Sequence, residues 1–180
     1  RLALPPRRRR SHKGTYGRIL CVCGSTGMSG AAYLAASAAL RTGAGLVEIL
    51  TPADNRTILQ TALPEAIVST YDGEKPRLAD IAKAASHADG LTIGCGLGTS
   101  LVALGILGIV LEHVPANGSV PVVLDADALN LLAGHPDLWN TSLLSSPQKQ
   151  VILTPHPAEM ARLCHTSVAD VLRNPPAAAR

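Results

Sequence analysis

Arg18–Thr42 reads RILCVCGSTGMSGAAYLAASAALRT. An apolar run of strand length, Arg18 to Cys23, is closed by Gly24. From Met28 to Thr42, Ala31, Leu34, Ala35, Ala38 and Ala39 recur at three- and four-residue spacing. That period predicts an Ala-rich helix with one face packed close to a neighbour, stopped by Gly43 and Gly45. Between strand and helix lies Gly24-Ser25-Thr26-Gly27-Met28-Ser29-Gly30. Glycines let backbone N–H groups approach an anion, and a helix N-terminus adds about half a positive charge. The G-x-x-G-x-x-G spacing matches neither the dinucleotide fingerprint nor the P-loop, which needs a Lys after its last Gly. A tight turn with close helix–strand packing accounts for these glycines as well as an anion does.

Working outward, the same alternation continues. Leu46–Leu50, Ala66–Ser69, Gly90–Ile93, Pro121–Leu124 and Val151–Leu153 read as strands. Helical segments are expected at Ala53–Gln60, Leu78–Ala85, Ser100–Glu112, through Leu129–Leu132 and around Glu159–Cys164. Such alternation predicts an α/β fold, a mostly parallel sheet with helices on both faces. Right-handed crossovers then put every strand-to-helix turn on one sheet edge, where such folds bind ligands. At 180 residues the chain is the size of one domain. Its 47% hydrophobic and 16% charged residues exclude wholesale disorder. With no Phe, one Trp and three Tyr, the core must be built from Ala, Val, Ile and Leu.

The net charge of +3 is concentrated at the start: Arg1, Arg7, Arg8, Arg9 and Arg10 precede a slightly acidic body. Residues 1–14 read as a flexible basic arm beside Pro5 and Pro6, and residues 15–180 as the folded body. No aromatic residues interleave with those arginines, so nucleic acid is excluded as the target. Cys21, Cys23, Cys95 and Cys164 are too few and too scattered for a disulfide framework. Cys21 and Cys23 share a strand face and read as small buried hydrophobes rather than metal ligands. The apolar run Leu97–Leu111 is broken by Gly98, Gly105 and Gly108, so no membrane span is expected. Without a signal-peptide pattern, a reduced cytoplasmic setting is expected, and without an initiator Met the true N-terminus is expected upstream.

Three further turns end later strands. Gly94-Cys95-Gly96-Leu97-Gly98-Thr99-Ser100 repeats the first design, with hydroxyls placed to cap the next helix. Two such turns on one edge are harder to ascribe to packing than one. In Leu124-Asp125-Ala126-Asp127, a carboxylate at the strand end can orient a hydroxyl or hold Mg²⁺ through water. It can equally cap the following helix, which is the reading preferred for Asp127. In Thr154-Pro155-His156-Pro157, a histidine held between prolines suits a ligand-facing imidazole better than a core position. Glu159 then reads as a first-turn acid. His12, His87, His113, His135 and His165 default to the surface.

Taken in order, these motifs resemble the NAD(P)H-hydrate dehydratases, a branch of the ribokinase-like superfamily. The resemblance is carried by Ser11-His12-Lys13-Gly14-Thr15-Tyr16-Gly17-Arg18, the Gly24–Ala32 turn, Arg41-Thr42-Gly43-Ala44-Gly45-Leu46-Val47, and the Gly94, Asp125 and Thr154–Pro157 turns. It implies a hydro-lyase that repairs hydrated NADH and NADPH: a nucleotide phosphorylates the hydrate's hydroxyl, and loss of phosphate restores the dinucleotide. The expected co-substrate is ADP, with ATP an option, and Mg²⁺ the expected cofactor. Carried over by motif, Ala31, Gly96 and His156 would contact the hydrate, with Gly27, Gly30, Gly94, Gly98 and Asp125 beside them. No resident metal site is expected, and the full-length enzyme is expected to be a homo-oligomer.

Three departures stand out. The family usually has Pro where Cys95 stands and Gly where Ala158 stands. Its chain also continues to a lysine-containing nucleotide segment and a Gly-Thr-Gly-Asp anion hole whose Asp acts as base. That Asp would lie beyond Arg180, so the chain reads as a ribokinase-like fragment, incomplete at its C-terminus and not expected to turn over alone. The alternatives are a ribokinase-like kinase of a vitamin precursor, such as a hydroxyethylthiazole or hydroxymethylpyrimidine, and a non-catalytic binding module.

Overall fold

A computed structural model describes residues 7, 9–114, 120–145 and 150–175. Residues 1–6 and 8 of the basic arm and the terminal residues 176–180 lie outside the described residues. Six strands form one parallel sheet: β1 (Arg18–Val22), β2 (Leu46–Pro52), β3 (Ile67–Tyr71), β4 (Gly90–Ile93), β5 (Pro121–Leu124) and β6 (Gln150–Leu153). Their spatial order is β3-β2-β1-β4-β5-β6. The chain runs outward from β1 in one direction and then returns to build β4 on its other side. The crevice beyond the carboxyl ends of β1 and β4 is thus a topological switch point, where ligands bind in open α/β sheets.

The crossovers are α1 (Ser29–Thr42), α2 (Arg56–Ala62), α3 (Leu78–Ser86), α4 (Leu101–His113) and α5 (Asp127–Gly134). The short α6 (Ser142–Ser145) precedes β6, and α7 (Pro157–Leu163) and α8 (Val168–Arg173) follow it. The sequence reading places every strand within two residues of these bounds. It contains neither α6 and α8 nor the 3₁₀ turns at Lys13–Tyr16 and Pro136–Asn140, and it runs the Ala53–Asn55 turn into the helix after it. Those pieces are too short to show a hydrophobic period.

Two apolar layers flank the sheet. On one face Leu20, Val22, Leu91, Ile93, Val122 and Leu124 meet α3, α4, α5 and α6. On the other, Cys21, Cys23, Val47, Ile49 and Val68 meet α1 and α2. The inward stripe of α1 is Ala32, Ala36 and Ser37, whereas Leu34 and Ala38 face solvent. The expected stripe is therefore displaced by about one residue, because in so Ala-rich a helix several faces carry the same period.

Register exposes an asymmetry between the layers. Val68, Ile49, Cys21, Thr92, Val123 and Ile152 form one row across the sheet on the second face. Val68, Ile49 and Cys21 are buried under α1 and α2, but Ile152 is 57% exposed. Both faces carry helices, yet among the described residues nothing covers β4–β6 on this side. A groove of about 1130 Å³ runs there, lined by Ile19, Ala39, Thr92, Cys95 and Val123 among others.

The segment leading into β1 explains a second glycine motif. Gly43 ends α1 at φ 105°, in the left-handed region, and donates to Ala39 and Leu40 carbonyls. A β-carbon at Gly45 would lie 1.7 Å from the Lys13 carbonyl oxygen. Only glycine there lets the Lys13–Tyr16 turn cross over the start of β2. Arg7 docks on the same corner: its guanidinium stacks 4.4 Å above the Tyr16 ring and donates to the Gly43 carbonyl at 2.9 Å.

Candidate functional site

All four strand-to-helix turns singled out in the sequence lie at the carboxyl edge of the sheet, in the order β1, β4, β5, β6. The first two are joined by their backbones. Gly24 N–H donates to the Cys95 carbonyl at 2.9 Å, and Gly94 N–H to the Val22 carbonyl at 3.1 Å. Gly24, Gly27, Gly94, Gly96 and Gly98 all have positive φ. At Gly94 the requirement is absolute, since a β-carbon would fall 1.9 Å from the Asp125 carbonyl oxygen. At Gly96 one would meet the Ala31 methyl at 2.8 Å and the Met28 side chain at 3.2 Å. Ala31 and Gly96, two of the three residues first in the expected contact set, are thus direct neighbours across the switch point.

Gly27 and Gly30 differ from these. No atom would lie within 4 Å of a β-carbon at either, so both border open space above α1. No side chain caps α1, whose N-cap residue is Met28. The loop is braced from the Ala53–Asn55 turn after β2 instead: buried Asn55 donates to the Ser25 carbonyl at 3.1 Å, and Thr26 to Asp54 at 3.0 Å. The sequence offered no sign of this brace beyond an Asn near a predicted helix start.

Asp125 ties the later turns together. Its Oδ1 accepts the Thr154 hydroxyl at 2.7 Å, and its Oδ2 accepts the Cys95 thiol at 3.3 Å. One carboxylate therefore bridges the turns after β4, β5 and β6. The expectation for Asp127 requires correction. It does not cap α5, whose N-cap residue is Ala126; its Oδ2 accepts the Gly98 N–H at 2.8 Å from the neighbouring turn. A donor left over by the Gly94 turn outcompetes the local cap. Ser100 does cap α4, accepting from Ala103 N–H at 3.2 Å.

His156 is held mainly by its own turn. Nδ1 accepts from the N–H groups of Ala158 at 3.1 Å and Glu159 at 3.4 Å, while Nε2 lies 3.2 Å from Glu159 Oε1. Glu159 Oε2 accepts the His156 N–H at 2.9 Å, completing a capping box with histidine in the usual place of Ser or Thr. Because Nδ1 accepts two bonds, the ring proton sits on Nε2, aimed at the buried carboxylate. The imidazole is nonetheless 60% exposed at the sheet edge. The spacing His156-x-x-Glu159 was legible as a capping signature only by admitting histidine as the cap.

Three thiols converge beneath these turns. Cys21 and Cys23 are fully buried, and Cys95 is half-buried. Burial pushes the Cys21 thiol up to about 12. Cys23, whose thiol donates to the Thr92 carbonyl at 4.0 Å, is raised as well, first by the neighbouring Cys95 and then by burial. Cys23 in turn lowers Cys95, against the opposing effects of burial and Asp125. No cluster of three or more His, Cys, Asp or Glu arranged to hold a metal exists among the described residues, and no helix there is long and apolar enough to cross a membrane.

A family model described as NAD(P)H-hydrate dehydratase matches residues 19–177. The ADP-dependent (S)-NAD(P)H-hydrate dehydratase of Neisseria meningitidis serogroup B is 43% identical over 171 residues, covering 94% of this chain and 53% of that protein. The bifunctional NAD(P)H-hydrate repair enzyme of Coxiella burnetii is 41% identical over 174 residues, covering 95% and 31%. Among solved structures, a ribokinase-like superfamily protein from Enterococcus faecalis superposes with a TM-score of 0.79 at 27% identity, over 91% of this chain and 54% of that one. The ADP/ATP-dependent NAD(P)H-hydrate dehydratase from Bacillus subtilis, co-crystallised with ATP/Mg²⁺, gives 0.70 at 32% identity, over 96% and 56%. The chain spans about half the length of the dehydratase it matches and about a third of the bifunctional enzyme.

Proposed function

Because the chain belongs to the NAD(P)H-hydrate dehydratase family, we propose that it supplies the hydrate-facing part of an ADP-dependent dehydration that returns hydrated NADH and NADPH to use. The observation that carries this reading is the meeting of two glycine turns, through Ala31 and Gly96, at the switch point of a 3-2-1-4-5-6 sheet. Ala31, Gly96 and His156 touch the hydrate in this reading. Gly27, Gly30, Gly94, Gly98 and Asp125 shape the surrounding wall.

Each part has a physical task. The open N-terminus of α1 beside Gly27 and Gly30 offers backbone N–H groups and a positive dipole end to a phosphate of the dinucleotide. Close backbone approach at Gly96 leaves a flat floor for the ring system. Asp125, fixed by Thr154 and Cys95, sets the distance between the β4, β5 and β6 turns. Phosphoryl transfer from ADP or ATP to the hydroxyl depends mostly on such positioning and on charge stabilisation. The aspartate that the resemblance implies as base lies in the part of the family's length beyond the half this chain spans.

Mg²⁺ does not fit a ligand set here. Asp125 and Asp127 are engaged in hydrogen bonds within the protein, and among the described residues no three or more His, Cys, Asp or Glu are grouped to hold an ion. The ion is therefore assigned no ligand among the described residues.

The test is thermal stabilisation of the chain by S-form NADH hydrate, by NADH and by hydroxyethylthiazole. The hydrate at a hundredfold excess over its Kd should add about 2.7 kcal/mol to stability. Stabilisation by the thiazole alone would move the chain to the vitamin-precursor kinases. Stabilisation by none of the three would remove the binding role.

A further inference from the structure

The dehydratase reading makes no use of the sulfur cluster under the switch point. We infer that Cys23 and Cys95 form a reversible dithiol–disulfide site that a peroxide closes. The two residues sit on opposite sides of the crevice, one at the end of β1 and the other in the turn after β4. Their backbones are already joined, because the residue after Cys23 donates its N–H to the carbonyl of Cys95 at 2.9 Å. Their side chains also share one packed layer, with Cys95 against the cluster that holds Cys23. A disulfide needs Cα atoms roughly 4.4–6.8 Å apart and facing side chains, and a backbone bond one residue on, with both side chains in one packed layer, brings the pair together for it.

The pair is chemically unequal, as a sensing site requires. Cys95 is half-buried and lines the groove beside α1, so a small oxidant reaches it. Cys23 is fully buried, and bulk oxidant does not reach it. The neighbouring Cys23 holds the Cys95 thiol below its usual range, which favours the thiolate, the nucleophilic form. Thiolate at Cys95 attacks hydrogen peroxide, the O–O bond breaks, and sulfenic acid and hydroxide form. The Cys23 thiol then attacks that sulfur: the S–O bond breaks, the S–S bond forms and water leaves. Two electrons pass from the thiol pair to the peroxide. Gly94 and Gly96, at φ 116° and 65°, flank Cys95 with the backbone freedom to accommodate the new bond. Cys21 shares the strand face but lies opposite Thr92, three residues before Cys95. It is the competing partner in the test.

The full 180-residue chain carrying Cys164→Ser, which removes the exposed thiol, is treated with equimolar hydrogen peroxide and digested without reduction. Peptide 19–41 should appear linked to peptide 84–149, with fragmentation placing the bond at Cys23 rather than Cys21. Dithiothreitol should release it. Cys23→Ala should halt the reaction at a Cys95 sulfenic acid that dimedone traps. Should Cys23→Ala fail to fold, Cys95→Ala on the groove side serves instead and should leave the peptides unlinked. A bond at Cys21, a link between two chains, or Cys95 remaining reduced while the peroxide is consumed would each overturn the inference. None of these readouts depends on hydrate binding.

Discussion

Gly96 and Ala31 face each other across the switch point with no room for another carbon: a β-carbon at 96 would lie 2.8 Å from the Ala31 methyl. Gly96 also has φ 65°, where an L side chain costs about 1–2 kcal/mol. Gly96→Ala should therefore destabilise the chain by at least that much. Gly30→Ala should do the opposite, adding up to about 1 kcal/mol, because Gly30 lies in a helix and its β-carbon would meet open space. Urea midpoints of the two variants should shift in opposite directions. Equal shifts would mean that crowding is not what selects glycine at 96.

Ala126 carries backbone strain beside Asp125. Its φ of 47° and ψ of −115° belong to a region that favours glycine. Such strain costs about 1–3 kcal/mol. Glycine would relieve it at an unfolded-state entropy cost of about 0.4–1 kcal/mol. Ala126→Gly should thus raise stability by ~1 kcal/mol, or about 2–4 °C in Tm for a chain of this length. A lower Tm would show that the surrounding bonds, not the Ala126 backbone, set the geometry of the Asp125 turn.

The parallel sheet and the four turns were legible in the sequence because each rests on a local signal: an apolar run, then glycine or aspartate, then a helical period. What the sequence withheld depends on partners far along the chain. Asp127 looks like a helix cap until the unpaired Gly98 N–H is brought beside it. Gly45 looks like a helix stop until the Lys13 carbonyl is seen to cross it. Cys95 reads as the loss of a proline, and only the fold puts its sulfur against Cys23 and Asp125. The open half of the second sheet face was also hidden, because Val123 and Ile152 are as apolar as their buried row-mates.

Alkaline pH should destabilise the protein before any carboxylate matters. Burial raises Cys21 from 9.0 to about 12 and Tyr71 from 10.0 to about 12. Both groups are neutral when protonated, so the folded state holds the proton more tightly than the unfolded state does. Their contribution is fully present below about pH 9 and is lost as pH rises toward about 12. Each pKa unit corresponds to ~1.4 kcal/mol, so the loss once both groups have ionised is on the order of 7 kcal/mol. Unfolding free energies measured from about pH 8 to about pH 11 should fall more steeply for the native chain than for Cys21→Ala. Parallel slopes would exclude Cys21 as a source.

His156 holds two possible roles that one pair of substitutions separates. Its Nδ1 caps α7 through Ala158 and Glu159, and its side chain is 60% exposed at the carboxyl edge of the sheet. His156→Ala removes the cap acceptor and should cost about 0.5–2 kcal/mol. It also strips the buried Glu159 of its Nε2 partner, leaving only the backbone N–H of residue 156. His156→Asn supplies a side-chain oxygen at the same place, and Asn is among the best N-cap residues. It restores the cap but not the Nε2 partner of Glu159, so its stability should lie between those of His156→Ala and the native chain. Binding then decides the second role. If the imidazole touches the hydrate, His156→Asn should weaken hydrate binding about tenfold, or ~1.4 kcal/mol, despite the restored cap. An unchanged Kd in that variant would leave His156 as the cap of α7 alone and remove it from the proposed contact set.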